Sequence, residues 1–139
     1  MELSTALDFA RPRHNGVVVA LKGDGRPQLS NISYALGDDD LIRISVTDGR
    51  AKTANLRRDD RVSLYLCQDD FWAYAVIEGR AELTATTTTP TDATADALVD
   101  LYRAIRGEDH PDWDEYRAAM VADHRLVLRI HPERSYGMV

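Results

Sequence analysis

Gly16-Val17-Val18-Val19-Ala20-Leu21-Lys22-Gly23-Asp24-Gly25-Arg26-Pro27-Gln28-Leu29-Ser30-Asn31 is the stretch that decides the fold class. It begins with a run rich in β-branched residues, and Gly23-Asp24-Gly25 follows almost at once. Asp-Gly between two apolar runs is a strong hairpin signal, because glycine accepts the positive φ of a tight turn. The chain then returns as one strand from Arg26 to Leu36.

Forward from the hairpin, Gly37-Asp38-Asp39-Asp40 makes a second turn, and Leu41 to Val46 alternates as a third strand. Asp48-Gly49 ends that strand, and Ala51 to Arg58 suits a short helix. Arg61 to Gln68 alternates again, with Val62, Leu64 and Leu66 on one face and Ser63, Tyr65 and Cys67 on the other. A long strand is predicted from Phe71 to about Thr84, with Gly79 as a bulge or bend. Thr86 to Thr91 reads as a solvated connector, after which Asp92 or Thr94 caps a helix. In that helix Ala95, Leu98, Val99, Tyr102 and Ile105 form one apolar stripe, and Gly107 closes it. A shorter helix, from about Pro111 to Ala122, carries Trp113, Tyr116 and Met120 on one face. The last strand is Arg125 to His131, followed by an extended tail from Ser135 to Val139. Backward from the hairpin, Leu3 to Phe9 reads as a short helix that Arg11-Pro12 breaks.

This order predicts a mainly β (α+β) fold: six antiparallel strands in a closed or nearly closed barrel, with short flanking helices. Residues 1–139 are expected to form a single domain, since two would leave neither an adequate core. The net charge of −6 argues against a nucleic-acid binder, which would carry a basic surface. A lone cysteine, Cys67, excludes an internal disulfide and reads as a small buried hydrophobe without a base partner. His14, His110, His124 and His131 lack zinc spacing, so no metal is expected. No nucleophile elbow, P-loop or dinucleotide fingerprint occurs. No membrane span is expected, because no stretch approaches ~18 apolar residues. The beginning lacks the pattern of a secretory leader, so the expected compartment is the cytoplasm.

Ser45-Val46-Thr47-Asp48-Gly49-Arg50-Ala51-Lys52-Thr53-Ala54-Asn55 is the segment most suited to chemistry. It runs from a strand through a turn into a helix start and holds two cations two residues apart. A helix N-terminus presents unpaired N–H groups and about half a positive charge, which suits an anion. Arg50 offers a planar fork to a phosphate and Lys52 a point charge. Charged turns are common, so an ordinary solvated turn stays open on these residues alone. Arg57-Arg58-Asp59-Asp60-Arg61 is likewise open between a solvated charge run and a flank for an anionic cofactor tail.

Gly25-Arg26-Pro27-Gln28-Leu29-Ser30-Asn31, Arg50-Ala51-Lys52-Thr53 and Asn55-Leu56-Arg57-Arg58-Asp59 together resemble the split β-barrel flavin and deazaflavin oxidoreductases, the relatives of pyridoxamine 5′-phosphate oxidase. Trp72-Ala73-Tyr74-Ala75-Val76, Leu101-Tyr102-Arg103, Trp113 to Arg117 and Tyr136-Gly137 extend the similarity over nearly the whole chain. It is strongest to actinobacterial members that bind coenzyme F420. The resemblance implies a six-stranded split β-barrel and a homodimer with the cofactor at the subunit interface. It implies that Gln28, Leu29, Ser30 and Asn31 lie along the tricyclic ring, largely through backbone. Ser45 and Val46 would lie near the ring and ribityl chain, while Arg50, Ala51, Lys52 and Asn55 hold the phosphate. Trp72 and Tyr74 would reach the ring from the partner chain, or else form an ordinary dimer core. The implied activity is an F420-dependent reductase passing a hydride to a small conjugated organic substrate. FMN with a pyridoxamine 5′-phosphate oxidase-like activity is the alternative, as is a non-catalytic F420- or flavin-binding protein. No catalytic side chain is named, because the cofactor carries the redox chemistry.

Overall fold

A computed structural model describes residues 1–139. Helix α1 (Leu3–Ala10) precedes the hairpin of β1 (Asn15–Leu21) and β2 (Pro27–Ser33). A two-residue strand β3 (Ala35–Leu36) leads to β4 (Ile42–Thr47), helix α2 (Ala51–Arg58), β5 (Arg61–Cys67) and β6 (Tyr74–Leu83). Helices α3 (Ala93–Arg106) and α4 (Trp113–Ala122) follow, and β7 (Arg125–Met138) ends the chain.

All strands belong to one antiparallel sheet in the order β2-β1-β5-β6-β7-β4-β3. Its two outer strands, β2 and β3, are consecutive in the chain, so the sheet curls until its ends meet and leaves a split between them. The expected antiparallel split barrel is present with seven strands instead of six. The return strand expected from Arg26 to Leu36 breaks at Tyr34, a fully buried residue. Its N–H donates to the His14 carbonyl at 2.7 Å, and its hydroxyl donates to the Ala10 carbonyl at 2.8 Å. Those anchors pull the chain off β1, and Ala35-Leu36 pairs with Ile42-Arg43 of β4. The hairpin turn has the expected positive φ at Gly25.

Strand alternation supplies the core. Val18, Leu64 and Ile77, with Val62, Leu66, Ile44, Val46, Leu128 and Ile130, fill the inside of the curl, and Ala6, Leu7 and Ala10 of α1 close one end. On the outer side α3 lays Leu98 and Leu101 over Val127, and Met120 and Tyr116 of α4 pack against them. Asp92 caps α3, its side chain accepting from the Ala95 N–H at 2.8 Å, and Gly107 ends it in the left-handed conformation.

Four further expectations change. The strand predicted from Phe71 begins at Tyr74: Phe71 takes φ 73°, and the Gln68 N–H donates to the Ala73 carbonyl across a turn that holds Phe71 and Trp72. The strand predicted to stop at His131 runs on to Met138, because Pro132 falls at a bulge opposite Gly79 where no ladder N–H is required. The register shifts at Gly79 as expected, with Glu133 of β7 as the extra residue, and a Cβ on Gly79 would clash with the His131 carbonyl oxygen. Within the threonine connector, Thr87 is buried rather than solvated, its hydroxyl donating to the Asp92 carboxylate at 2.8 Å. Cys67 sits half-buried on the outer face of β5, while its neighbour Leu66 occupies the core.

Candidate anion and cofactor site

Helix α2 starts where β4 ends. Arg50 is its N-cap residue in an extended conformation, with no side-chain cap hydrogen bond and no acidic residue in the first turn. The helix N-terminus is therefore open, and its dipole and unpaired N–H groups have no acidic side chain in the first turn beside them. The buried Thr53 hydroxyl donates to the Thr47 carbonyl at 2.8 Å and fixes the helix against the strand.

A cleft of about 370 Å³ lies at this point. Arg50, Ala51 and Lys52 form one wall, Gln28 and Ser30 of β2 another, and Thr47 and Arg125 the third. Neither Arg50 nor Lys52 forms an ion pair. Burial holds the Lys52 ammonium below its ordinary range, and the nearby guanidinium groups of Arg125 and Arg50 lower it further. Every charged neighbour that perturbs Lys52 is thus positive. A half-buried lysine facing two arginines without a carboxylate is a site that favours an anion.

The alternation of β2 divides the predicted Gln28 to Asn31 segment. Gln28 and Ser30 face the cleft, whereas Leu29 and Asn31 point to the outer face of the sheet, Leu29 being 62% exposed. Asn55 does not line the cleft but positions one that does: its Nδ2 donates to Gln28 Oε1 at 2.8 Å. Ser45 is half-buried and stands opposite Val127 beneath α3. Val46 is fully buried in the core, so its side chain is closed to a ligand. Tyr74 stands opposite Cys67 and Met138, about five residues along the sheet from the row of Gln28, which is roughly 17 Å of strand. Within one chain, Trp72 and Tyr74 are therefore not brought to the cleft. Trp72 is 77% exposed on the β5–β6 turn.

Arg125 is the residue that sequence reasoning missed. After α4, His124 takes φ 54° and reverses the chain, the Asp48 N–H donates to the His124 carbonyl at 2.9 Å, and Arg125 comes to lie opposite Thr47. A pairing between the end of one strand and the start of another 78 residues later leaves no local signal.

The outer face of the sheet carries a second feature. Val17, Tyr65, Val76 and Tyr136 form a cross-strand row, with Leu29 and Met138 exposed beside it. The Tyr65 and Tyr74 rings stand 5.9 Å apart on this face. No helix is long and apolar enough to cross a membrane.

The sequence profile of a family described as pyridoxamine 5′-phosphate oxidase matches residues 4–138. Among solved structures, a conserved hypothetical protein from Mycobacterium tuberculosis is 24% identical, with a TM-score of 0.76 over 99% of this chain and 84% of that one. A structure described as an F420 reductase is 22% identical, with a TM-score of 0.63 over 96% of this chain and 94% of that one. A Listeria innocua protein named for pyridoxamine 5′-phosphate oxidase is 20% identical, with a TM-score of 0.63 over 97% and 94%. At these identities the likeness shows the fold.

Proposed function

The chain belongs to the pyridoxamine 5′-phosphate oxidase family, and from that premise we propose that it is an F420-dependent oxidoreductase that holds the anionic tail of the deazaflavin in the Arg50–Lys52 cleft. The observation that carries this reading is the set of unpaired cations at an open helix N-terminus. Arg50 and Lys52 hold the phosphate, with the N–H groups of the first turn of α2 behind them. Gln28, fixed by Asn55, and Ser30 line the route from the phosphate to the ring. Leu29 and Asn31 turn from the same strand to the outer face, where Leu29, Tyr136 and Met138 are exposed.

When bound, the deazaflavin supplies a hydride to a small conjugated acceptor. The chain's own work is to clamp the tail, orient the ring along β2 and exclude water from one side of it. Exclusion of water requires a cover over the exposed Leu29, Tyr136 and Met138. A second copy of the chain supplies it in this reading, since exposed apolar patches mark interfaces and aromatics are enriched there. Trp72 and Tyr74 would then act across the interface, consistent with their distance from the cleft of their own chain.

FMN is the second reading, favoured by the family profile itself, and it uses the same cleft. Titration of the purified protein with F420 and with FMN, followed by absorbance and fluorescence, separates the two. The expected result is micromolar or tighter F420 binding, much weaker FMN binding, and turnover of reduced F420 with an enone or quinone acceptor. The reverse preference would move the assignment to FMN. Binding without turnover would make the protein a carrier, and binding of neither would overturn the reading.

A further inference from the structure

The cleft holds three cations, more than a single negative charge needs. Arg125 forms its third wall, opposite Arg50 and Lys52. Its nearest carboxylate is Asp123, 3.9 Å from Nε, beyond hydrogen-bonding distance. That Nε is buried and has no hydrogen-bond partner. A buried guanidinium N–H without an acceptor is costly; Arg129 Nε is in the same state, but its guanidinium reaches Glu82 at 3.4 Å, whereas Arg125 has no carboxylate nearer than 3.9 Å. The backbone of Arg125 is tightly held, opposite Thr47 on one side and accepting the Thr87 N–H at 2.8 Å on the other. The guanidinium is thus presented by a rigid strand end.

We propose that Arg125 is a third ligand of the anion, acting with Arg50 and Lys52, and that the cleft takes a ligand group carrying two negative charges. This rests on the reading of the cleft as a cofactor-phosphate site and adds its charge class. Two ligands meet the requirement in different ways. FMN brings both charges on one phosphate monoester, while F420 brings a phosphodiester followed by the carboxylates of its glutamate tail.

The test is a set of dissociation constants for FMN, F420 and two phosphate-free probes, riboflavin and the ribityl deazaflavin, with wild type, Arg125→Gln, Arg125→Lys and Lys52→Ala. Arg125→Gln is expected to weaken whichever of FMN and F420 the wild type binds by roughly ten- to a hundredfold, leave the phosphate-free probe unchanged, and be largely rescued by lysine. Unchanged affinity for the phosphate-bearing ligand would overturn the proposal. An equal loss for the phosphate-free probe would also overturn it, because Arg125 would then act only by holding β7 in place. If Lys52→Ala weakens binding and Arg125→Gln does not, only this inference fails; if neither does, the cofactor reading of the cleft fails with it.

A second measurement tests the charge class. The second ionisation of a phosphate monoester lies near pH 6. The charged or titratable groups around Arg125 are Lys52 and Arg50 across the cleft, Asp123 and His124 on the α4–β7 turn, Asp48 on the β4–α2 turn, and Tyr116 of α4. Riboflavin carries the same ring without the phosphate and serves as the control for all of them. FMN affinity rising between pH 5 and 7 relative to riboflavin is the expected result. A flat ratio would overturn the two-charge requirement.

Discussion

The two ends of helix α2 both carry cations, and only the N-terminal end leaves its own, Arg50 and Lys52, without an ion pair or side-chain hydrogen bond. At the C-terminal end Arg57 pairs with Asp48, Arg58 donates to the Leu21 carbonyl at 2.6 Å and to Asn55, Arg61 pairs with Asp59, and Arg80 pairs with Asp60. Cations suit the C-terminus of a helix, and Arg57 and Arg58 complement the dipole there. At the N-terminal end Arg50, Lys52 and Arg125 face one another and the positive end of the dipole. That arrangement opposes helix stability and is relieved by an anion. Equal charge at two ends of one helix therefore has opposite meanings, and the presence or absence of close protein acceptors tells them apart.

The most direct way to break the contrast is to give the N-terminal end a carboxylate of its own. Ala51 lines the cleft at the first position of α2, where an acidic side chain complements the dipole. Ala51→Asp is expected to keep or raise thermal stability, by up to about 1 kcal/mol. Cofactor binding should nevertheless fall by about 3 kcal/mol, roughly a hundredfold, because the new carboxylate occupies the cations and repels the ligand. A melting curve and a cofactor titration on the same sample check both halves.

Lys52→Ala removes one cation and leaves the others. A charge-assisted phosphate contact contributes about 1.5–3 kcal/mol, so affinity should drop roughly ten- to a hundredfold. Stability should not fall, since the side chain is held in an unfavourable electrostatic position. Affinity equal to wild type in a titration would make Lys52 an ordinary surface cation.

The same lysine fixes the direction of a pH effect. Its folded-state value is depressed by burial and by Arg125 and Arg50. In the ligand-free protein the penalty on the charged form is present at neutral pH and is relieved as pH rises from the depressed value toward about 10.4. Stability from this group therefore increases with pH over that window. Binding has the opposite sign, because a bound anion requires the protonated form, so affinity declines as pH passes the depressed value. Dissociation constants between pH 7 and 10 should show that decline in wild type and a flatter curve in Lys52→Arg, whose guanidinium stays charged throughout.

Much of the fold was legible because local rules and the final sheet agree. The Asp24-Gly25 turn, the alternation of Arg61 to Cys67, the α3 stripe closed by Gly107 and the Gly79 bulge all appear where their patterns put them. The failures came where tertiary anchors overrode local pattern. Tyr34 broke a strand that reads as continuous, because His14 and Ala10 hold its backbone and hydroxyl. Pro132 did not end a strand, because a bulge absorbed it. At the candidate site, Arg50, Lys52, Gln28 and Ser30 were legible and meet in one cleft. Asn55 was named as a phosphate contact, and in the structure it anchors Gln28. Val46 was named for a site near the ring, yet strand parity turns it into the core. Arg125 was invisible because only the long-range pairing with Thr47 brings it there.

The smallest expected effect sharpens the contrast from its other side. Arg57 lies on the last turn of α2 and pairs with Asp48, both side chains being 45% exposed. An exposed pair of this kind contributes at most about 1 kcal/mol, and the helix dipole adds only a few tenths more. Arg57→Ala should therefore shift the melting temperature slightly and leave affinity for FMN and F420 unchanged. Comparing the two ligands gives the measurement its force. FMN ends at its phosphate, whereas F420 carries a carboxylate-bearing tail beyond its phosphate. A loss confined to F420 would mean that Arg57 exchanges Asp48 for the tail, and that carboxylate pairing marks a reserve of cations rather than a purely structural end. Unchanged affinity for both ligands would leave the anion site at the N-terminal end alone.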